Sequence, residues 1–295
     1  MQNNSEAPER PSAPATSAAQ PPRPAKTFPT PGDLFAMLGI VFAAQIVVGV
    51  AGVVGVLISG HSGDLSAADP GARGRLVAVT YLVSMSLALG GILYYRLKRG
   101  GSGPVAQFSR KGLNPVLLLW AFLFMIAVGI VIEPLLTFLP APPDQLGRGV
   151  WAALTAIVFA PVFEETICRG VVLGSVRAKW GVVAAWLLSS LFFGVLHLQP
   201  LLVINAFFIG LILGFIYLAT GSLWASIILH AVNNAMAYLL LVSGHEETMV
   251  IELVGSRTWY VVIYIAALAV AAVSARMVWR TLARLKAAEK KAQEA

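Results

Sequence analysis

This sequence carries little charge. Only 12% of its 295 residues are Asp, Glu, Lys or Arg, against 58% hydrophobic, far more apolar surface than a water-soluble core can bury. A soluble globular domain is thereby excluded. Cysteine is almost missing as well: Cys168 stands alone, so neither an intramolecular disulfide nor a thiolate metal site can form, and its expected place is the core. The alternating segments of about ten residues that mark a membrane β-barrel are absent, and so is the H-E-x-x-H zinc signature. The formal charge of +7 is not massed into a nucleic-acid surface. Most Lys and Arg flank apolar runs, where they act as a topology signal, and no nucleic-acid partner is expected.

What the chain does have is long apolar runs. A bilayer core of about 30 Å takes roughly 20 residues of helix, and about eight stretches qualify, near 33–59, 75–95, 114–139, 151–177, 181–198, 201–219, 222–243 and 258–278. The expected fold class is therefore all-α, a polytopic membrane protein. Residues 1–32 hold eight of the 17 prolines and no apolar run, which predicts a disordered tail. Residues 33–280 form the transmembrane domain, and 281–295 a basic, amphipathic, cytoplasmic tail. With the N-terminus inside, 16 of the 21 Lys and Arg fall on the inner side and four on the outer, leaving Arg169 within a span. Both termini are expected to be cytoplasmic, in a plasma or inner membrane.

Polar groups inside the spans are few and grouped. FAPVFEETICRG (159–170) carries Glu164, Glu165 and Arg169; the fifth span ends in His197; the seventh carries His230, Asn233 and Asn234, and the sixth Asn205. Charges at mid-membrane cost about 2.5–3.5 kcal/mol each on insertion scales, so they need partners and a purpose. Glu165 and Arg169 are four apart, the favourable order for an ion pair, which leaves Glu164 turned about 100° away toward a cavity. A carboxylate removed from water is a better general base. His230 and Asn234, also four apart, can donate to a developing oxyanion. Glu133, late in the third span, is read as interfacial or as a support for the polar site. The four-residue connection His197–Pro200 carries no charge and is expected to dip into the membrane, bringing His197 to the depth of the other groups.

These residues also resemble a family. APVFEETICRG, FFGVLHLQ and GFIYLATGSLWASIILHAVNNA, within residues 150–240, are similar to the CPBP intramembrane proteases, which group the type II CAAX prenyl endopeptidases with Abi and bacteriocin-processing proteins. The family pattern E-E-x-x-x-R, F-x-x-x-H, H-x-x-x-N falls on Glu164, Glu165 and Arg169, on Phe193 and His197, and on His230 and Asn234. The resemblance implies that Glu164 and His197 activate a water, that His230 and Asn234 stabilise the tetrahedral intermediate, and that Glu165 and Arg169 support them. On a metal reading it implies zinc at Glu164, His197 and His230; the cofactor is thus either none or zinc. Where the family often has an aromatic residue before the motif arginine, this chain has Cys168.

The expected function is an intramembrane endopeptidase acting on a membrane-associated protein or peptide from a cavity between spans four, five and seven. Two other readings stay open: a catalytically silent protein that binds a membrane partner, and a proton-coupled transporter, although paired broken helices of the transporter kind are not evident.

Overall fold

The computed structural model describes residues 28–58, 70–140, 147–245 and 249–294. Among them the chain is helical, with no named strand and one isolated antiparallel bridge, Phe108 to Ser222. The helices are α1 (Pro31–Ile58), α2 (Pro70–Lys98), α3 (Pro115–Leu136), α4 (150–180), α5 (182–195), α6 (Pro200–Thr220), α7 (Leu223–Val242), the short α8 (Val250–Val254) and α9 (Arg257–Glu294). Most of the proline-rich segment, 1–27, lies outside the described residues. The segment 281–295 is not a separate element as far as it is described, because α9 runs on through it to Glu294.

This is an all-α, polytopic membrane protein. Seven helical runs among the described residues are long and apolar enough to cross a bilayer, where the sequence suggests about eight. The difference lies in Val150–Val195, a single run of 46 residues. Gly181 interrupts it with φ 83° and ψ −177°, a left-handed backbone that glycine adopts without penalty, and α4 and α5 are the two rods on either side. With 14 residues, α5 rises about 21 Å, short of the roughly 30 Å core. The turn after it therefore reaches less far than a full span would carry it. Leu198, within that turn, has φ 60°, an uncommon conformation for a residue with a side chain.

Helix ends follow local chemistry. Asn114 caps α3 by accepting from Leu117 N–H at 3.0 Å, ahead of Pro115. Gly221, with φ 63°, ends α6, and Ser222 caps α7 by accepting from Ala225 N–H. At the start of α1, Thr30 and Asp33 exchange bonds: Thr30 N–H donates to Asp33 Oδ2 at 2.7 Å, and Asp33 N–H to Thr30 Oγ1 at 3.2 Å. This is a capping box. Asp33 does more, since its other oxygen accepts from Tyr95 Oη at 2.7 Å and Arg99 Nε at 2.8 Å, tying the start of α1 to the end of α2. Removing the carboxylate orphans the Thr30 amide and the Tyr95 hydroxyl, while the half-exposed Arg99 returns to water. Asp33→Ala is thus expected to cost about 1–3 kcal/mol, read as a lower melting temperature of the purified protein in detergent; an unchanged melting curve would refute the anchor.

Two apolar clusters surround the polar residues. One joins α1, α2, α4 and α5 through Met37, Val41, Met85, Ile167, Val171 and Phe192; the other joins α3, α6, α7 and α9 through Leu117, Met125, Leu213, Leu229 and Val278. Cys168 is fully buried in the first. Small residues let α5 and α6 approach closely, as lipid-embedded helices require: a Cβ on Gly194 would stand 2.7 Å from Val203 O, and one on Gly210 3.2 Å from Ser190. Outward faces stay apolar, with Ile46, Val50, Val183, Trp259 and Val273 exposed as lipid contact demands.

Candidate active site

The motif helix α4 is not a regular α-helix. Two π-helical stretches, Thr155–Phe159 and Thr166–Leu173, bracket the regular segment Ala160–Glu165. Proline explains part of the first. Ala160 N–H bonds to Thr155 O, five residues back, and Pro161, five residues after Ala156, has no N–H to offer Ala156 O. That carbonyl instead accepts from Asn234 Nδ2 on α7 at 2.9 Å. One of the two amide hydrogens of Asn234 thus holds α7 against the bulge, and the other makes no hydrogen bond among the described residues. A turn further along α7, Tyr238 Oη donates to Gly149 O and accepts from Gly149 N–H, both at 2.9 Å, so the two helices are joined at two levels. Irregular turns of this kind are common at functional sites.

In the next turn of α4 the charges meet. Arg169 Nη1 donates to Glu165 Oε1 at 2.8 Å, with both side chains fully buried, the ion pair that the spacing predicts. Arg169 Nη2 reaches across to Gly210 O on α6 at 2.9 Å, and its guanidinium lies 4.6 Å over the ring of Phe193 on α5. This one side chain therefore holds three helices together. Gly170 beside it leaves room for the α2–α3 connection, because a Cβ there would stand 3.0 Å from Val105 O.

His230 stands between the two glutamates. Its Nδ1 is 3.1 Å from Glu165 Oε1 and its Nε2 is 3.8 Å from Glu164 Oε2. Facing a carboxylate that accepts, Nδ1 is assigned the proton, which leaves the Nε2 lone pair toward Glu164. Glu164 is not left free, as the 100° argument suggests. Tyr81 of α2 donates its hydroxyl to Glu164 Oε1 at 2.8 Å. No motif points to Tyr81, and α2 has no part in the cavity expected between spans four, five and seven.

His197 joins less directly. Its Nδ1 bonds to Phe193 O at 3.0 Å, closing the end of α5, which assigns the proton to Nδ1 and a lone pair to Nε2. The Phe193 ring meets the His197 and His230 rings edge-on, each with centroids 5.2 Å apart. The motif phenylalanine is thus the shared wall between the two histidines. Asn233 donates to Asn234 Oδ1 at the long distance of 3.5 Å. Glu133 does not join the site: its Oε1 accepts from Ile251 N–H at 3.4 Å, beside α8.

A zinc ion would need three of these donors in one coordination sphere. Among the described residues no three His, Cys, Asp or Glu side chains come together in that way. Glu164 Oε2 and His230 Nε2 approach each other, but His197, the third donor of the zinc reading, stands on the other side of the Phe193 ring, and Glu165 is engaged by Arg169, so the donor set does not fit a zinc ion. Two apolar cavities of about 420 and 390 Å³, both bordered by Trp186, Phe215 and Trp279, lie among α5, α6 and α9, the second also against α3 through Ala121, Phe124 and Val128. Neither includes Glu164, whose side chain is 13% exposed, or His230, at 3%.

Comparison with known proteins bears on the same segment. Residues 146–236 match the family model described as Type II CAAX prenyl endopeptidase Rce1-like. "Putative membrane peptidase YdiL" of Bacillus subtilis is 29% identical over 89 residues, which cover 30% of this chain and 36% of that protein. "Uncharacterized 24.3 kDa protein" of Escherichia coli is 31% identical over 133 residues, 43% of this chain and 61% of the relative. The chain thus spans about a third and three-fifths of the curated relatives it matches. No solved structure matches it. The matched segment contains Glu164, Arg169, His197, His230 and Asn234 together, and over it this membrane chain is similar to the Rce1-like type II CAAX prenyl endopeptidases.

Proposed function

We propose that this protein is an intramembrane endopeptidase, hydrolysing a peptide bond in a membrane-associated protein or peptide with water as the nucleophile. The observation that supports it is the approach of Glu164 and Glu165, from one helix, to opposite nitrogens of His230 on another, in an interior otherwise apolar. Such a pairing is costly unless the groups are used. Water placed between Glu164 Oε2 and His230 Nε2 gives up a proton to the carboxylate as its oxygen attacks the carbonyl carbon. The tetrahedral oxyanion is met by the remaining amide hydrogen of Asn234. Return of the proton to the leaving nitrogen breaks the C–N bond, yielding a carboxylate and an amine. His197, across Phe193, shares in orienting the water. Glu165, neutralised by Arg169, keeps Nε2 of His230 turned toward Glu164. The chain crosses the membrane with both termini on the cytoplasmic side, as the distribution of Lys and Arg supports.

The test is a comparison of membrane-protein termini in cells with and without the protein. A discrete set of new termini is expected in the cells that contain it. Identical termini would overturn the reading, and copurification of one uncleaved membrane partner would favour a silent binding protein instead.

A further inference from the structure

Tyr81 lies outside the segment that matches the family, on a helix without any of the three motifs, yet its hydroxyl is bonded to Glu164. A carboxylate has two equivalent oxygens, and rotation about its last bond exchanges them freely unless one is held. Here they are made unequal. Oε1 accepts from Tyr81 at 2.8 Å, whereas Oε2, buried and without a hydrogen-bond partner among the described residues, is the oxygen 3.8 Å from His230 Nε2. The neighbouring hydroxyls of α2 do not stand in for the phenol: that of Thr80 is turned back to the Leu76 carbonyl at 2.8 Å and that of Ser84 to the Tyr81 carbonyl at 3.0 Å.

We propose that Tyr81 is a positioning residue for the hydrolysis, pinning Oε1 of Glu164 so that Oε2 takes the proton from the attacking water. The inference rests on the endopeptidase reading. It separates the ring of Tyr81, which packs α2 against α4, from its hydroxyl, which aims the base. A base held in one orientation keeps the reacting atoms aligned, and misplacement of such a group by about 1 Å costs on the order of 100-fold.

The probe is a quenched fluorogenic peptide that copies the terminus shifting most between cells with wild-type and Glu164→Gln protein. Tyr81→Phe is expected to lower kcat about 10- to 100-fold with KM unchanged. Genetic replacement of Tyr81 by 4-aminophenylalanine, which restores a donor at the same ring position, is expected to recover most of the lost kcat. A packing role alone predicts no loss in the phenylalanine variant, and wild-type kcat there overturns the proposal, as does a 4-amino variant no faster than phenylalanine. If the phenylalanine variant melts early, kcat is read well below its transition, and the comparison between the two variants still decides. A Glu164→Gln protein that shifts the same termini as the wild type overturns the endopeptidase reading itself, whereas an inactive Glu164→Gln beside a fully active Tyr81→Phe overturns only the role of Tyr81.

Discussion

Glu164→Gln is expected to abolish turnover while leaving the protein folded. Glutamine keeps the shape of the side chain, and its carbonyl oxygen still accepts from Tyr81, so the contact between α2 and α4 survives. What is lost is the ability to take a proton. General bases contribute about 100- to 10,000-fold, and because the proposed mechanism has Glu164 and His230 act on one water the loss should approach the upper end. Cleavage of the fluorogenic peptide, measured at protein concentrations high enough to detect that residue of activity, checks the size of the effect. The melting temperature checks the fold. Undiminished turnover would remove Glu164 from the mechanism and with it the proposed site.

The second large effect is expected at Arg169, and it concerns stability first. Arg169 is fully buried, and it gives Glu165 its charged partner, Gly210 its hydrogen-bond donor and Phe193 a cation over its ring. Arg169→Met fills similar space but leaves the Glu165 carboxylate buried beside His230 with no opposing charge. Breaking a buried pair from one side costs about 3–5 kcal/mol, because the remaining charge is uncompensated. The variant should therefore melt well below the wild type in detergent and lose activity with its fold. Removing both charges relieves the imbalance, so Glu165→Leu combined with Arg169→Met should be more stable than Arg169→Met alone. If the single variant melts with the wild type, the pair is not what holds α4, α5 and α6 together.

Part of this site is legible along the chain because the chemistry is local to one helix. The Glu165–Arg169 pair is a matter of four-residue spacing, and it appears as that spacing predicts. The partners contributed by distant segments are not. Tyr81 is one of seven tyrosines and looks like any aromatic residue in an apolar span, while Asp33 looks like a helix start rather than a joint between two helices. Asn234 illustrates a subtler limit. Its place in H-x-x-x-N suggests an oxyanion donor, but only the folded chain reveals that Pro161 leaves the Ala156 carbonyl for it to satisfy.

The sequence by itself determined that this is a helical membrane protein and which few polar residues sit inside its spans, because hydropathy and local spacing act through the chain's own neighbours. It also carries the family resemblance. Which oxygen of Glu164 faces which nitrogen of His230, that Phe193 stands between both histidines, and that α2 supplies a hydroxyl to the site were decided only in three dimensions. Those contacts join residues as much as 83 positions apart, and in lipid it is the packing of small and large side chains, rather than any periodicity in the chain, that sets which helix faces meet.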